Sequence, residues 1–172
     1  VLQVIGLVLA VAVAAVVGSL LEGTFLLPPD LDIRTIPQIA ERTSPTFLSL
    51  FLALGSGIAG AISVMRNAGS ALVGVAIAVA LIPPAATAGL GIAWGYWFVT
   101  IAAGTLALIN LLAINLSALV LFTLAGYRPI LADGFDRAAV RRGVFKRLGA
   151  IIAAILLLSV VLGAVTLGEF AT

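Results

Sequence analysis

The sequence predicts an all-α, multi-pass transmembrane protein, first of all from its composition. Of its 172 residues, 63% are hydrophobic and only 9% are charged, whereas soluble domains carry about 25% charged residues. The mean hydropathy is +1.30, and a soluble fold of this length could not bury so much apolar surface. The second observation is that apolar runs of about 20 residues, the length of a membrane-crossing helix, recur along the whole chain. A signal peptide would not produce this recurrence.

These runs define about five spans in a single transmembrane domain of residues 1–172. The spans lie at about 1–21, 46–65, 70–95, 98–123 and 148–168. Ser44 and Pro45 are typical of a helix N-cap followed by proline in the first turn, so they start the second span. Residues 66–69 end that span, residues 126–129 end the fourth, and an aromatic cluster at 94–97 separates the third from the fourth.

The distribution of Lys and Arg predicts the orientation in the cell membrane. With segment 124–147 on the cytoplasmic side, seven of the nine basic residues lie inside, as the positive-inside rule favours. Loop 22–45 and the end of the chain then lie outside. A re-entrant third span would move Arg66 to the outside and weaken this agreement. A broken or kinked full crossing is therefore favoured.

The two long connectors differ in character. Loop 22–45 is rich in proline, and its stretch "IPQIAERT" could form a short surface helix with Pro37 in the first turn. Segment 124–147 is basic and, from residue 135, amphipathic. Its basic side chains are candidates for binding anionic lipid, the alternative being that they only determine topology. These candidates are Arg137, Arg141, Arg142, Lys146 and Arg147.

The third span contains an unusual stretch, "ALIPPAATAGLGIAWG", with two adjacent prolines. Pro83 and Pro84 have no N–H, so the carbonyls of Val79 and Ala80 lose their helical partners. In hydrocarbon a freed carbonyl is costly unless another group or water satisfies it. The pair therefore predicts an interrupted helix whose break faces protein or a polar cavity.

This break is the candidate site for a small solute or ion. Discontinuous helices present backbone carbonyls and N–H groups near the membrane midplane of transporters. Asn110, near the centre of the fourth span, could bond the freed carbonyls or another Asn110 across an oligomer. The alternative is a kink that packs against a neighbour. The predicted site comprises Val79, Ala80, Leu81, Pro83, Pro84, Thr87 and Asn110.

Small residues at four-residue spacing predict close approach of helices, within the chain or between subunits. The second span contributes Gly57 and Gly60, and the third contributes Gly74, Gly91 and Gly95. A homo-oligomer is therefore expected, with membrane lipids as further partners.

The residue inventory argues against several other functions. The chain has no Cys and no His, which removes the usual thiol, imidazole and metal chemistry. We therefore expect no enzyme activity, no metal and no cofactor. The sequence pI is about 9.7, but the basic residues cluster beside apolar spans, so we expect no nucleic-acid partner. No charged residue lies deep in a span, which argues against a proton relay or a voltage sensor.

Three stretches resemble a known family. They are "ERTSPTFLSLFLALGSGIAGA", "ALVGVAIAVALIPPAATAGLGIAWG" and "LINLLAINLSALVLFTLAGYRP". The chain resembles the prokaryotic membrane family named domain of unknown function 389, best over residues from about 40 to 129. The resemblance implies no role for any residue, because the biochemical role of the family is not established. It does imply a further span before the first one, so we expect a trimmed or processed chain.

That further span would make two three-span units of opposite orientation, an arrangement typical of transporters. We therefore expect a membrane protein that transports or binds a small solute or ion at the break. The alternative is an oligomeric scaffold, or an anchor for a soluble domain absent from this chain. A polar cavity that reaches the break would favour transport, and a dry, tightly packed break would favour the scaffold.

Overall fold

The computed structural model describes residues 2–22, 24–25, 32–43, 47–66, 70–126 and 137–169. Over these ranges all the regular secondary structure is helical, with short turns between the helices and no strand. Its helices are α1 (Leu2–Leu21), α2 (Pro37–Thr43), α3 (Phe47–Met65), α4 (Ser70–Ala93), α5 (Trp97–Leu124) and α6 (Arg137–Glu169), with a 3-10 turn at Ile33–Thr35. Five of them, all except α2, are long and apolar enough to cross a membrane. The predicted all-α fold class, with about five helices able to cross a membrane, is confirmed.

Helix α5 is the centre of the bundle. It packs against α3, α4 and α6, while α1 packs mainly against α4. Half of the apolar window of α5 is buried, compared with 6% for α1 and for α6. The exposed sides of these two outer helices are apolar, as expected for surfaces that face lipid.

Helix α4 is long and apolar enough for the full crossing that the sequence favours, and it does not separate into two halves at the prolines. It runs from Ser70 to Ala93 with Pro83 and Pro84 inside it. The predicted interruption is therefore corrected to a continuous helix that lacks two backbone hydrogen bonds. A helix can continue here because the backbone φ of proline is compatible with it, provided that the freed carbonyls find other donors.

The turn between α4 and α5 is built on Gly95. Its φ of +72° places it in the left-handed region, which glycine enters without strain. The amide of Tyr96 donates to the carbonyl of Gly91 at 2.8 Å, and the amide of Gly95 donates to Ile92 at 3.4 Å, a Schellman termination. A Cβ on Gly95 would have no atom within 4 Å. Its predicted role in helix packing is thus corrected to a turn.

Residues 32–43, here called the loop cap, fold over this turn. Helix α2 begins at Pro37, as predicted. One face of this short surface helix is buried, because Ile39 packs with Ile33 and Val99, while Pro37, Gln38 and Glu41 are exposed. The cap is therefore packed against the end of the helical bundle.

Charged groups hold the start of the loop cap. Asp32 accepts a hydrogen bond from the Arg34 amide at 2.9 Å and pairs with the Arg34 guanidinium at 3.1 Å. The guanidinium carbon lies 5.8 Å from the centre of the Tyr96 ring, within the range of a cation–π contact. The cap is thereby tied to the α4–α5 turn by charge as well as by apolar packing.

Helix α6 begins earlier than the sequence predicts. It runs continuously from Arg137, so residues 137–147 of the basic segment form the start of the same helix as the last span. No proline lies between residues 137 and 169 to end the first turns. The side chains of Arg137, Arg141 and Arg142 lie outside the described residues, as do Ser44 and Pro45. Lys146 and Arg147 are exposed.

Candidate functional site

Asn110 replaces a hydrogen bond that the proline pair removes. Its side chain is only 2% exposed, and its Nδ2 donates to the carbonyl oxygen of Ala80 at 2.9 Å. That carbonyl would otherwise accept from the N–H of residue 84, which is proline. Of the two alternatives that the sequence leaves open for Asn110, the structure has the bond to the freed carbonyl.

The other end of the same amide lacks a partner. The Oδ1 atom of Asn110 is buried and accepts no hydrogen bond from any described residue. A buried amide oxygen without a donor carries an uncompensated desolvation cost. Among the described side chains it is the one buried polar atom without a hydrogen-bond partner. The α4–α5 contact therefore contains one unsatisfied acceptor.

Thr87 serves its own helix. Its hydroxyl, which is buried, donates to the carbonyl of Pro83, one turn back, at 3.0 Å. Hydroxyl bonds of this kind are common where proline disturbs a membrane helix. Thr87 therefore supports the helix around the prolines and does not present its proton to a cavity.

The structure brings most of the predicted site together but leaves one residue outside. Ala80 and Leu81 are buried in one apolar cluster with residues of α3 and α5, and Pro84 is almost fully buried. Pro83 is half-buried. Val79, in contrast, is 62% exposed and does not share the buried environment of Asn110.

Two clefts lie close to the proline pair, and both are apolar. A cleft of about 210 Å³ between α1 and α4 touches Leu81 and Ile82, and Gln3 is its one polar side chain. A second cleft of about 380 Å³ touches Ala85 and is lined by apolar side chains and glycine. Neither of these two clefts brings a polar path to the prolines.

Gly57 lies at a close approach of α3 to α5. A Cβ at this position would collide with the carbonyl oxygen of Ile114 and the hydroxyl of Ser117. Because a backbone atom is involved, the clash could not be relieved by a side-chain rotation. Gly57 thus sets the distance between these two helices.

The remaining predicted packing glycines differ among themselves. A Cβ on Gly91 would lie 2.8 Å from the amide nitrogen of Thr100, and one on Gly60 would lie 3.3 Å from Val73. A Cβ on Gly74 would meet no atom within 4 Å. Gly74 therefore has no packing role within the described chain. Its predicted role in contact between subunits stays a prediction.

Sequence reasoning missed the contact of α1 with α4. A Cβ on Gly89 would collide with the Val11 carbonyl and lie 2.7 Å from Ala14, and Gly18 is similarly close to Ala93. The signal was present in the small residues at 14 and 18 of α1 and at 89 and 93 of α4, each pair at four-residue spacing.

Two polar contacts of α1 were also missed. The indole Nε1 of Trp94 donates to the carbonyl of Gly18 at 3.0 Å, and Asn115 Nδ2 lies 3.4 Å from Gln3 Oε1. Both join residues far apart in the sequence, so no local pattern announced them.

The described ranges contain no cluster of three or more acidic, His or Cys residues that could hold a metal ion.

Comparisons with known proteins place the chain in a family. A family profile described as "Domain of unknown function (DUF389)" matches residues 1–116. The chain is 42% identical over 128 residues to an uncharacterized protein of Methanocaldococcus jannaschii, a match that covers 74% of this chain and 39% of the relative. The chain thus spans well under half of the length of that relative. No solved structure matches this chain.

Proposed function

This chain belongs to the family described as domain of unknown function DUF389, and from that premise we propose that it is an oligomeric structural scaffold in the membrane. One observation carries the proposal, namely that the carbonyl freed by Pro84 already has a donor within the protein. The Asn110 side chain donates a hydrogen bond to the Ala80 carbonyl at 2.9 Å, and Pro84 is almost fully buried. A solute path through this point would need polar groups facing water, and the adjoining clefts are apolar.

The scaffold would assemble through the cleft between α1 and α4. Gly6 and Gly74 line this cleft together with Ala10 and Ala78, and a Cβ on either glycine would meet nothing within 4 Å. Between membrane helices, association comes from close van der Waals packing, which small residues permit. A helix of a second copy of the chain is the proposed occupant.

A bulky residue in the cleft tests this assembly. Gly74→Leu should be tolerated by the isolated chain, because the position is open, but it should block the approach of a second copy. Gly55→Leu is the matched control, since Gly55 on α3 is equally open. Native mass spectrometry from micelles should show an oligomer for the wild type and for Gly55→Leu, and a monomer for Gly74→Leu. A monomeric wild type, or an oligomer that survives Gly74→Leu, would contradict the proposal.

We also propose the orientation in the cell membrane that the basic residues favour, with segment 124–147 in the cytoplasm. The chain has no Cys, so a single introduced Cys can be labelled without background. In intact cells, an impermeant maleimide should label Glu22→Cys and should label Lys146→Cys only after permeabilisation. The reverse pattern would invert the orientation.

Binding or transport of a small solute or ion is the second candidate, and the unpaired Oδ1 of Asn110 favours it. A bound cation or hydrogen-bond donor would satisfy that oxygen. A flux screen of reconstituted protein against cations, anions and small metabolites separates the candidates. The scaffold predicts no flux above protein-free liposomes. Transport predicts a flux that is lost in Asn110→Leu and in the Pro83→Ala/Pro84→Ala double variant. Neither candidate is an enzyme.

A further inference from the structure

A second groove, between α5 and α6, combines an apolar wall with one cation. It measures about 430 Å³ and is lined by five apolar side chains and two polar ones, Asn115 and Arg147. Arg147 lies close to the start of the apolar run of α6, whose candidate membrane span begins at Gly143, so its long side chain can reach up to lipid phosphates at the interface. The groove thus has the polarity of a lipid molecule, with a charged end and an apolar length.

We propose that this groove binds one anionic phospholipid, with an acyl chain along the apolar wall and the phosphate on Arg147. The guanidinium forms no hydrogen bond or ion pair with the part of the chain that the structure describes, so its donors are available. A planar guanidinium can bind a phosphate through two parallel hydrogen bonds. Basic pockets between membrane helices are sites of this kind for anionic headgroups.

Charge complementarity supports an anionic occupant over a zwitterionic one. The segment 124–147 carries six basic residues and two acidic ones. This excess of positive charge raises the local concentration of anionic lipid near the groove. The apolar wall then distinguishes a lipid from a free phosphate ion, which would gain nothing from it.

Asn115 indicates which headgroup fits. Its Nδ2 donates to the Leu111 carbonyl at 2.7 Å and faces Gln3 Oε1 at 3.4 Å, so both amide hydrogens are engaged. The amide oxygen is what remains, and it can accept from a hydroxyl. A phospholipid with a glycerol headgroup, phosphatidylglycerol, offers that hydroxyl next to its phosphate.

The test is lipid titration of the purified, delipidated full chain, with bound lipid counted by native mass spectrometry. Phosphatidylglycerol should bind with one tight site, and phosphatidylcholine should bind clearly more weakly. Arg147→Gln should weaken phosphatidylglycerol binding about five- to tenfold. Lys146→Gln is the matched control, because Lys146 is the adjacent exposed cation but does not line the groove. Its effect should stay below about twofold.

A second variant separates the groove from the charge. Ala150 lines the apolar wall and is exposed, so Ala150→Trp should fill the groove without removing a charge and abolish the tight site. Circular dichroism confirms that each variant keeps its helices. Equal losses for Arg147→Gln and Lys146→Gln would indicate a diffuse surface effect and overturn the proposal. Equal binding of both lipids, or tight binding that survives Ala150→Trp, would also overturn it, as would full competition by glycerol phosphate without acyl chains.

Discussion

The side-chain nitrogen of Asn110 and the carbonyl oxygen of Ala80 lie 2.9 Å apart, although 30 positions separate the residues in the sequence. The carbonyl is available because residue 84 is proline, and the donor comes from the most buried helix of the bundle. The bond therefore does two things at once. It satisfies a backbone carbonyl that hydrocarbon would leave without a hydrogen-bond donor, and it fixes α4 against α5.

A double-mutant cycle between Asn110 and Pro84 tests this relationship. In Asn110→Leu the Ala80 carbonyl loses its donor, whereas in Pro84→Ala a backbone N–H becomes available to the same carbonyl. Asn110→Leu should therefore cost less in the Pro84→Ala background, with a coupling of about 1 kcal/mol. The measurement is the free energy of unfolding in detergent for the wild type, both single variants and the double variant.

The cycle is needed because Asn110→Leu alone mixes two effects of opposite sign. It removes the bond to Ala80, and it also removes the unpaired Oδ1. Volume changes at either position cancel in the cycle if they are independent. Strictly additive free energies would mean that the bond does not substitute for the missing backbone donor.

Gly57→Ala should destabilise the contact of α3 with α5. The added Cβ would collide with the Ile114 carbonyl, and overpacking of this kind costs about 1–3 kcal/mol. Gly55→Ala on the same helix is the control. With nothing within 4 Å of its Cβ, it should be neutral or stabilise by up to about 1 kcal/mol. Thermal unfolding in detergent measures both, and equal shifts would refute a special role for Gly57.

The sequence could predict those features that follow from local chemistry. Five apolar runs of sufficient length gave five helices, since hydrocarbon leaves the backbone few other structures. The partner of Asn110 was also predictable as one of two alternatives, because Pro84 determines which carbonyl is freed. The start of α2 at Pro37 follows from the same kind of local rule.

The features that sequence reasoning missed depend on distant residues. Whether α4 separates at Pro83 and Pro84 depends on donors that other helices supply, and here Asn110 supplies one. The burial of Ile39 in the loop cap depends on Val99, with no local pattern to announce it. Gly95 has the spacing of a packing residue, but its φ of +72° makes it a turn residue.

The loop cap should weaken in acid through Asp32. Hydrogen bonds from the Arg34 side chain, then from its amide, hold the pKa of Asp32 below its ordinary value of 3.8. A carboxyl with a lowered folded-state pKa contributes stability above its unfolded pKa, and this contribution is lost as the pH falls through the folded value. The cap should thus be unaffected down to about pH 4 and become less stable below 3.8.

Hydrogen exchange of the amides at residues 33–36 measures this change. The comparison at each pH is with Asp32→Asn, whose side chain can still accept a hydrogen bond but does not titrate in this range. The ratio of the two exchange rates should change below pH 3.8 and stay constant above it. A constant ratio throughout would remove Asp32 from the stability of the cap.

Trp94→Phe should loosen the contact of α1 with α4. The indole Nε1 donates to the Gly18 carbonyl at 3.0 Å, at the end of α1, and phenylalanine keeps the apolar ring but has no donor. The Gly18 carbonyl would keep its bond from the Glu22 amide at 3.1 Å, so the expected loss is modest, about 1 kcal/mol in the free energy of unfolding. Trp97→Phe is the matched control, because Trp97 is 67% exposed. Thermal unfolding in detergent should show a larger decrease in stability for Trp94→Phe than for Trp97→Phe. Only Trp94→Phe breaks a hydrogen bond to another helix, between residues 76 positions apart in the sequence. Equal decreases would assign both effects to the aromatic rings at the membrane boundary.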